Sequence, residues 1–413
     1  MGGSLISAKE RTEIDGQEQR RAGTPDRATG AAPPRGFRDI LPAEARELRA
    51  IERRLAERFD AHGYVPLDPP SVEHGEGAAA LAGGRVIRFL DRDGSLLALR
   101  PDLTTAIARL VAQRYAEARG ALRLSYFAPV FREEPAMLGT EREYVQAGVE
   151  LIGPSGALAD AEALALLAES LTATGLRDHT IEVGHIGSLG ALFAELTDAD
   201  RARAISLLRG GDHAGAIAHA RDAGMSSRAL SRARRALAAR GMDELEDVAS
   251  TCFEPLREVI ALAETMSGER CFVPNLAVIP ALPYYTGVVF EAVHADQGFA
   301  IATGGRYDLL VGAFGLSRPA TGFAIDIPRL HLALFASGWR PRDEHSLVAL
   351  ALGAADATAR AAATLRGLGV AVALGDVAES AGLPVLAASL EGERLRLADG
   401  RLLTPAELAR ELA

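Results

Sequence analysis

The sequence predicts an α+β architecture: an antiparallel sheet with flanking helices, followed by a small C-terminal α/β domain. Three observations carry that expectation. VIRFL and SLLALR flank Asp93-Gly94, a hairpin signal in which the short turn pair separates two apolar runs. Between Tyr144 and Ile152, Val145, Ala147, Val149 and Leu151 alternate with Tyr144, Gln146, Gly148 and Glu150, the period of two that a strand requires. After Trp339–Glu344 the pattern changes, and SLVALALG, an Ala-rich helix and VAVALGD read as a separate β-α-β unit.

Residues 1–35 are polar, interleaved with Gly, Thr and Pro, and read as a disordered extension. Pro42 to Gly63 reads as a helix, with Pro in its first turn, Gly at its exit and Leu48, Ile51, Leu55 and Phe59 on one stripe. An extended stretch runs from Tyr64 to Glu73, a helix from Leu103 to Ala118 and a strand from Leu122 to Arg132. Residues 157–174 read as a helix, and 186–266 as a helical insertion broken at Gly210-Gly211, Gly224 and Gly241. Strands are expected at NLAVI, YTGVVFEAV and GFAIAT, then a Gly-rich turn at Gly304–Asp308 and a strand-helix unit from Thr321 to Ser337. The expected main domain is 36–338. The expected C-terminal domain is 345–413, completed by PVLAASL, ERLRLADG and a helix from Thr404.

Composition narrows the function classes. The net charge of −10 argues against a nucleic-acid-binding surface spread over the whole chain, since such surfaces need Lys and Arg against phosphates. No apolar run has the length a bilayer span needs, and residues 1–21 lack a signal-peptide core, so a cytoplasmic location is expected. Cys252 and Cys271 form no disulfide framework and read as reduced thiols. There is no G-x-G-x-x-G after a strand, no G-K-[ST] loop and no metal-ligand spacing, so neither cofactor nor metal is expected.

Five segments bear chemistry: Leu99–Thr104, Val130–Glu134, Val145–Glu150, Pro283–Gly287 and Gly304–Asp308. Period two puts Gln146 and Glu150 on one face across Gly148, so one side of that strand packs while the other offers an amide and a carboxylate over an open floor. Arg100-Pro101-Asp102 also reads as a capped helix start.

In this order, and with Gly36–Pro42 before them and Ala320–Ala324 after, these segments resemble the catalytic core of class II histidyl-tRNA synthetase from Gly36 to Leu330. The resemblance implies a pocket for free histidine. Arg132 would clamp the carboxylate, a bidentate task. Asp102, Thr104 and Gln146 would take the ammonium, Asp102 standing where the family usually has Glu. Glu150 and Tyr285 would meet the two imidazole nitrogens, with Tyr284, Gly304 and Gly305 completing the histidine-binding set and the loops around Tyr285 and Gly304-Gly305 closing over the ligand. No catalytic residue is expected. Pro280 stands where the synthetases carry an essential Arg, and proline supplies no cation for a phosphoryl transition state. Pro283 replaces an Asp, Pro135–Thr140 replaces a polar, basic loop, and Asp326 and Pro328 replace Gly and Glu, while Arg142 and Arg329 remain. The C-terminal domain resembles a shortened anticodon-binding domain.

A histidine receptor that cannot activate histidine resembles the family of ATP phosphoribosyltransferase regulatory subunits, paralogues of the synthetases. That resemblance implies a non-catalytic chain that partners a short catalytic subunit in the first step of histidine biosynthesis. It implies homodimers within a hetero-octamer, L-histidine as feedback effector, and no tRNA or membrane partner. The alternatives are a true histidyl-tRNA synthetase, or a synthetase-like amino-acid sensor with another partner.

Overall fold

A computed structural model describes residues 32–75, 86–133, 141–249, 253–279, 282, 284–339, 347–377 and 385–412, with 246–249 as backbone only. Pro280, Ala281, Pro283, Pro135–Thr140, Cys252, the linker 340–346 and residues 1–31 lie outside the described residues.

The chain opens with helix α1 (Pro42–Ala61), which has Pro in its first turn and buries the predicted stripe of Leu48, Ile51, Leu55 and Phe59. Strands β1 (Val65–Pro66), β2 (Val72–His74), β3 (Arg88–Leu90) and β4 (Leu96–Leu99) follow, then α2 (Leu103–Arg114), β5 (Leu122–Phe131), β6 (Glu143–Ile152), α3 (Ala157–Thr174) and β7 (His179–His185). The insertion is helical: α4 (Ile186–Leu192), α5 (Asp198–Arg209), α6 (His213–Asp222), α7 (Ser227–Ala238), α8 (Met242–Ala249) and α9 (Glu254–Ser267). The main domain ends with β8 (Phe272–Pro274), β9 (Val288–His294), β10 (Ala302–Arg306), β11 (Ala320–Asp326) and α10 (Ile327–Ala336). The C-terminal unit comprises β12 (Leu347–Leu350), α11 (Ala355–Gly367), β13 (Ala371–Leu374), β14 (Val385–Glu391), β15 (Arg394–Leu397), β16 (Leu402–Leu403) and α12 (Pro405–Leu412).

The main sheet has the order β1-β5-β6-β11-β10-β9-β7-β8. Its centre is antiparallel, as expected, and only its two edge pairings, β1 with β5 and β7 with β8, are parallel. The β3–β4 hairpin turns at Asp93-Gly94, where the Gly94 N–H donates to the Asp91 carbonyl. The C-terminal sheet, β13-β12-β14-β15-β16, is parallel on one side and antiparallel on the other.

One strand expectation and one turn expectation need correction. NLAVI is a turn, because the Asn275 side chain accepts from the Ala277 N–H and the Val278 N–H returns to the Asn275 carbonyl, a side-chain bond that competes with the ladder. Gly304–Arg306 is strand and not turn. β10 lies between β9 and β11, with Gly304 opposite Phe290 and Phe323. A Cβ at Gly304 would fall 2.4 Å from the Phe290 ring and 2.5 Å from the Gly322 carbonyl, so the glycines there serve close strand packing and not a bend.

The alternation of β6 divides its side chains between the two faces of the sheet. Ala147, Val149 and Leu151 join the core under α1 and α3. Gln146, Gly148 and Glu150 face the α2 side, where Leu103, Ile107, Tyr126 and Tyr307 form a second core. The floor at Gly148 is not open. A Cβ there would lie 2.3 Å from both the Tyr126 hydroxyl and the Phe323 carbonyl oxygen. Gly148→Ala is therefore expected to lower the urea midpoint, with a cost of about 1–3 kcal/mol from overpacking; an unchanged midpoint would show that Tyr126 yields freely.

Candidate functional site

The N-terminus of α2, β5 and β6, Leu282 with Tyr284 and Tyr285, and the middle of β10 and β11 converge on one pocket. It is lined by Asp102, Thr104, Arg132, Gln146, Glu150 and Tyr285, together with Leu282, Tyr284, Thr303, Tyr307, Gly322, Phe323 and Ala324. Seven of the nine expected site residues meet there. Gly304 and Gly305 do not line it. Gly305 instead lets the Tyr285 ring approach the strand, since a Cβ would fall 2.9 Å from that ring. A hydrogen-bonded central strand also cannot close over a ligand, so the expected closure of a Gly304-Gly305 loop is not available.

Glu150 anchors one end of the pocket. It is 1% exposed, and β11 passes directly opposite it at Gly322, where a Cβ would lie 2.3 Å from Oε2. Thr104 Oγ1 donates to Oε1 at 2.7 Å and the Tyr307 hydroxyl donates to Oε2. Burial pushes its pKa up to about 8, against the opposing pull of those two donors.

At the other end, Asp102 does what the alternative local reading requires: it caps α2, accepting from the Thr105 N–H at 2.7 Å and the Thr105 hydroxyl at 3.2 Å. It is also fully enclosed, and burial raises its pKa. Arg100 of the same motif is structural. It is 1% exposed and donates to the Pro129 carbonyl at 2.8 Å and to the Pro69 carbonyl. Arg132 donates through Nε to the Pro101 carbonyl at 3.1 Å and lies 5.6 Å from the Tyr144 ring centroid. Gln146 lines the wall, and its side chain makes no hydrogen bond among the described residues.

Tyr284 and Tyr285 form the third wall, with ring centroids 4.9 Å apart, and Tyr284 meets Tyr307 edge-on at 5.8 Å. Their segment is stitched to β10: the Thr286 N–H donates to the Arg306 carbonyl at 2.7 Å, and the Asp308 N–H donates to Thr286 Oγ1 at 3.1 Å. Arg306 points away from the pocket. Its Nε donates to Asp160 at 3.0 Å and its Nη1 to Asp308 at 2.9 Å, and its stem covers Gly287, where a Cβ would lie 3.0 Å from Cδ. Tyr307, missed as a ligand-site residue from sequence, follows Arg306 and turns inward. Strand alternation after Gly305 could have found it.

Arg142 and Arg329 lie outside the lining. Arg142 donates to Glu133 at 2.5 Å and stacks on Phe37. Arg329 pairs with Asp326 at 3.2 Å and stacks on Phe299 at 5.0 Å. Asp326 caps α10 through the Arg329 N–H, and burial lifts its pKa to about 6. Among the described residues no group of three His, Cys, Asp or Glu could hold a metal, and no helix is long and apolar enough to cross a membrane. A larger cavity, about 580 Å³ between α6 and α7, has an Ala- and Arg-rich lining and lacks the convergent carboxylates and tyrosines of this pocket.

The family model for histidyl-tRNA synthetase matches residues 36–330. An ATP phosphoribosyltransferase regulatory subunit from Desulforamulus reducens is 37% identical over 322 residues, covering 75% of this chain and 80% of that protein. The crystal structure of an ATP phosphoribosyltransferase regulatory subunit/histidyl-tRNA synthetase from Bacillus halodurans C superposes with a TM-score of 0.78 at 28% identity, covering 89% of this chain and all of that one. Histidyl-tRNA synthetase from Nostoc sp. PCC 7120 shares the fold, with a TM-score of 0.75 at 20% identity over 93% of this chain and 99% of that one. Fold and pocket together define the class, a histidyl-tRNA synthetase-like protein with the class II core. The chain belongs to the family of ATP phosphoribosyltransferase regulatory subunits, and its part in histidine biosynthesis is regulatory and not catalytic.

Proposed function

We propose that the pocket is an effector site for L-histidine and that the chain relays its occupancy to the catalytic subunit of ATP phosphoribosyltransferase. The observation that carries this is the arrangement around Glu150: a buried carboxyl group fixed by Thr104 and Tyr307 at one end of the pocket, with Arg132 and Asp102 at the other. An imidazole N–H meets Glu150 and the Tyr285 hydroxyl meets the second ring nitrogen. The ammonium lies near Asp102, Thr104 and Gln146, and the carboxylate at Arg132. Pairing both ring nitrogens gives selectivity, because an apolar look-alike brings no donor to Glu150 and no partner to the Tyr285 hydroxyl.

The pocket has only about 20 Å³ of free space, room for a single water. Histidine therefore enters a form in which the tyrosine wall has drawn back, and the two forms differ in histidine affinity. That difference is what a feedback effector needs, with a typical coupling of about 1–3 kcal/mol. The partner is the short-form catalytic subunit, and the assembly is a hetero-octamer built on regulatory homodimers, located in the cytoplasm, with no tRNA and no membrane partner. Pro280 agrees with this reading, since proline offers no cation to a developing phosphoryl charge.

The test mixes this chain with a short catalytic subunit and follows phosphoribosyl transfer with and without histidine. The expected result is activity that depends on this chain and falls as histidine is added. Histidine-dependent exchange between pyrophosphate and ATP by the purified chain would overturn the proposal in favour of a synthetase. Activation without histidine sensitivity would remove the effector assignment alone.

A further inference from the structure

A second cavity lies on the far side of β6 from the histidine pocket. It is enclosed by the segment before α1, by α1 itself, by the ends of β5 and β6 and by the first turn of α10, and it measures about 330 Å³, the lower end of the range for small-molecule sites. Its walls are apolar, with Ile40, Leu48, Pro129, Val145, Ile327 and Pro328 facing the space. Ile40 is 47% exposed, so part of this wall is wet in the empty protein.

The charged groups at the rim are mostly of one sign. Asp39, Glu52, Glu141 and Glu143 line it, with Arg38 as the opposing charge. Arg38 is committed: it donates to Glu141 at 2.7 Å and clasps Glu44 with both terminal nitrogens, at 2.7 and 2.6 Å. Glu52 is paired with Arg49 at 2.5 Å. Among the described residues Asp39 and Glu143 make no side-chain ion pair or hydrogen bond, so the cavity presents two carboxylates without a cationic partner beside its apolar walls.

We propose that this cavity binds a small organic cation, an ammonium or guanidinium group on an apolar body. Charge complementarity selects the cation, because an anion would face Asp39 and Glu143, while a hydrated metal ion would leave the apolar walls wet. The apolar body displaces water from Leu48, Val145 and Ile327, and the cationic head stays at the rim near the carboxylates. The cavity shares Tyr144 with the other side of the sheet, and Tyr144 carries the Arg132 guanidinium on its ring. An occupant therefore touches the residue that backs the carboxylate clamp of the histidine pocket.

Calorimetry on the full chain, with saturating histidine present, tests the assignment using three probes of matched shape: phenethylamine, 2-phenylethanol and 3-phenylpropionate. The amine is expected to bind about tenfold more tightly than the alcohol, with the acid not binding, and added salt should narrow the gap. The double variant Asp39→Asn, Glu143→Gln alters exposed positions that the fold does not rest on. It is expected to bring amine affinity down to that of the alcohol. Ile40→Trp fills the mouth and is expected to abolish both. Equal binding of amine and alcohol, or amine affinity indifferent to the double variant and to Ile40→Trp, would overturn the proposal. None of these outcomes depends on whether the first pocket accepts histidine, because the variants alter only the second cavity.

Discussion

Glu150→Ala is expected to abolish histidine inhibition while the complex with the catalytic subunit still assembles. Glu150 is held by side-chain hydroxyl donors on both oxygens, so its removal takes away the proposed imidazole partner and leaves the Thr104 and Tyr307 hydroxyls without that acceptor. Loss of one member of a buried, charge-assisted pair costs about 2–5 kcal/mol, a fall in affinity of some thirtyfold or more. Tyr285→Phe removes a single neutral bond and is expected to cost about tenfold or less. Calorimetry with histidine, beside size-exclusion of the mixed subunits, reads both. Inhibition persisting in Glu150→Ala at the same histidine concentration would place the inhibitory site elsewhere.

The same residue imposes a pH signature on the empty protein. Its folded pKa, about 8, is above the ordinary carboxyl value of 4.5, so the folded state holds a proton that the unfolded state has already released over that interval. Stability is therefore highest below about pH 4.5 for this group and falls as pH rises toward 8, after which the loss is complete. Glu150→Gln is expected to flatten this part of the stability–pH curve, as followed by urea unfolding between pH 5 and 8. A curve identical to wild type would show that Glu150 is ionised in the folded protein. Burial raises the pKa of Asp102 and Asp326 as well, so a residual slope of the same sign remains in the variant.

The second large effect concerns the frame rather than the pocket. Arg306→Met is expected to destabilise the protein by about 3–5 kcal/mol, because it leaves Asp160 buried without its cation. The pair is closed on both sides, with side-chain exposures of 8% and 6% and a separation of 2.8 Å. Asp160→Asn added to Arg306→Met should recover part of the loss, since the stranded charge is then gone. Additive losses in the double variant would mean that the two side chains do not interact. The same Arg306 covers Gly287 and its carbonyl receives the Thr286 N–H, so the single variant is also expected to loosen the Tyr284-Tyr285 wall and weaken histidine binding.

Much of the site is legible in residues whose spacing has one structural solution. Period two in Tyr144–Ile152 puts Gln146 and Glu150 together on the face opposite Val149, and the strand has that arrangement. The stripe of α1 and the Asp93-Gly94 hairpin were readable for the same reason, since each depends on neighbours in the chain. Gly304-Gly305 was misread because a glycine pair signals a turn locally, whereas its cause here is the Phe290 ring and the Gly322 carbonyl pressing from neighbouring strands. NLAVI was misread because its apolar residues suit a strand while the Asn275 amide closes a turn.

The sequence by itself determined the family, the α+β architecture and which polar residues could recognise an amino acid, because motif order and periodicity are properties of the chain alone. The tertiary structure decided what those residues do to one another. Only packing shows that Tyr307 turns onto Glu150 and that Arg306 braces the tyrosine wall from behind against Asp160. Both contacts join residues more than a hundred positions apart, beyond the reach of any local signal. Burial, which lifts the pKa of Glu150, exists only once the sheet and α2 have closed around it.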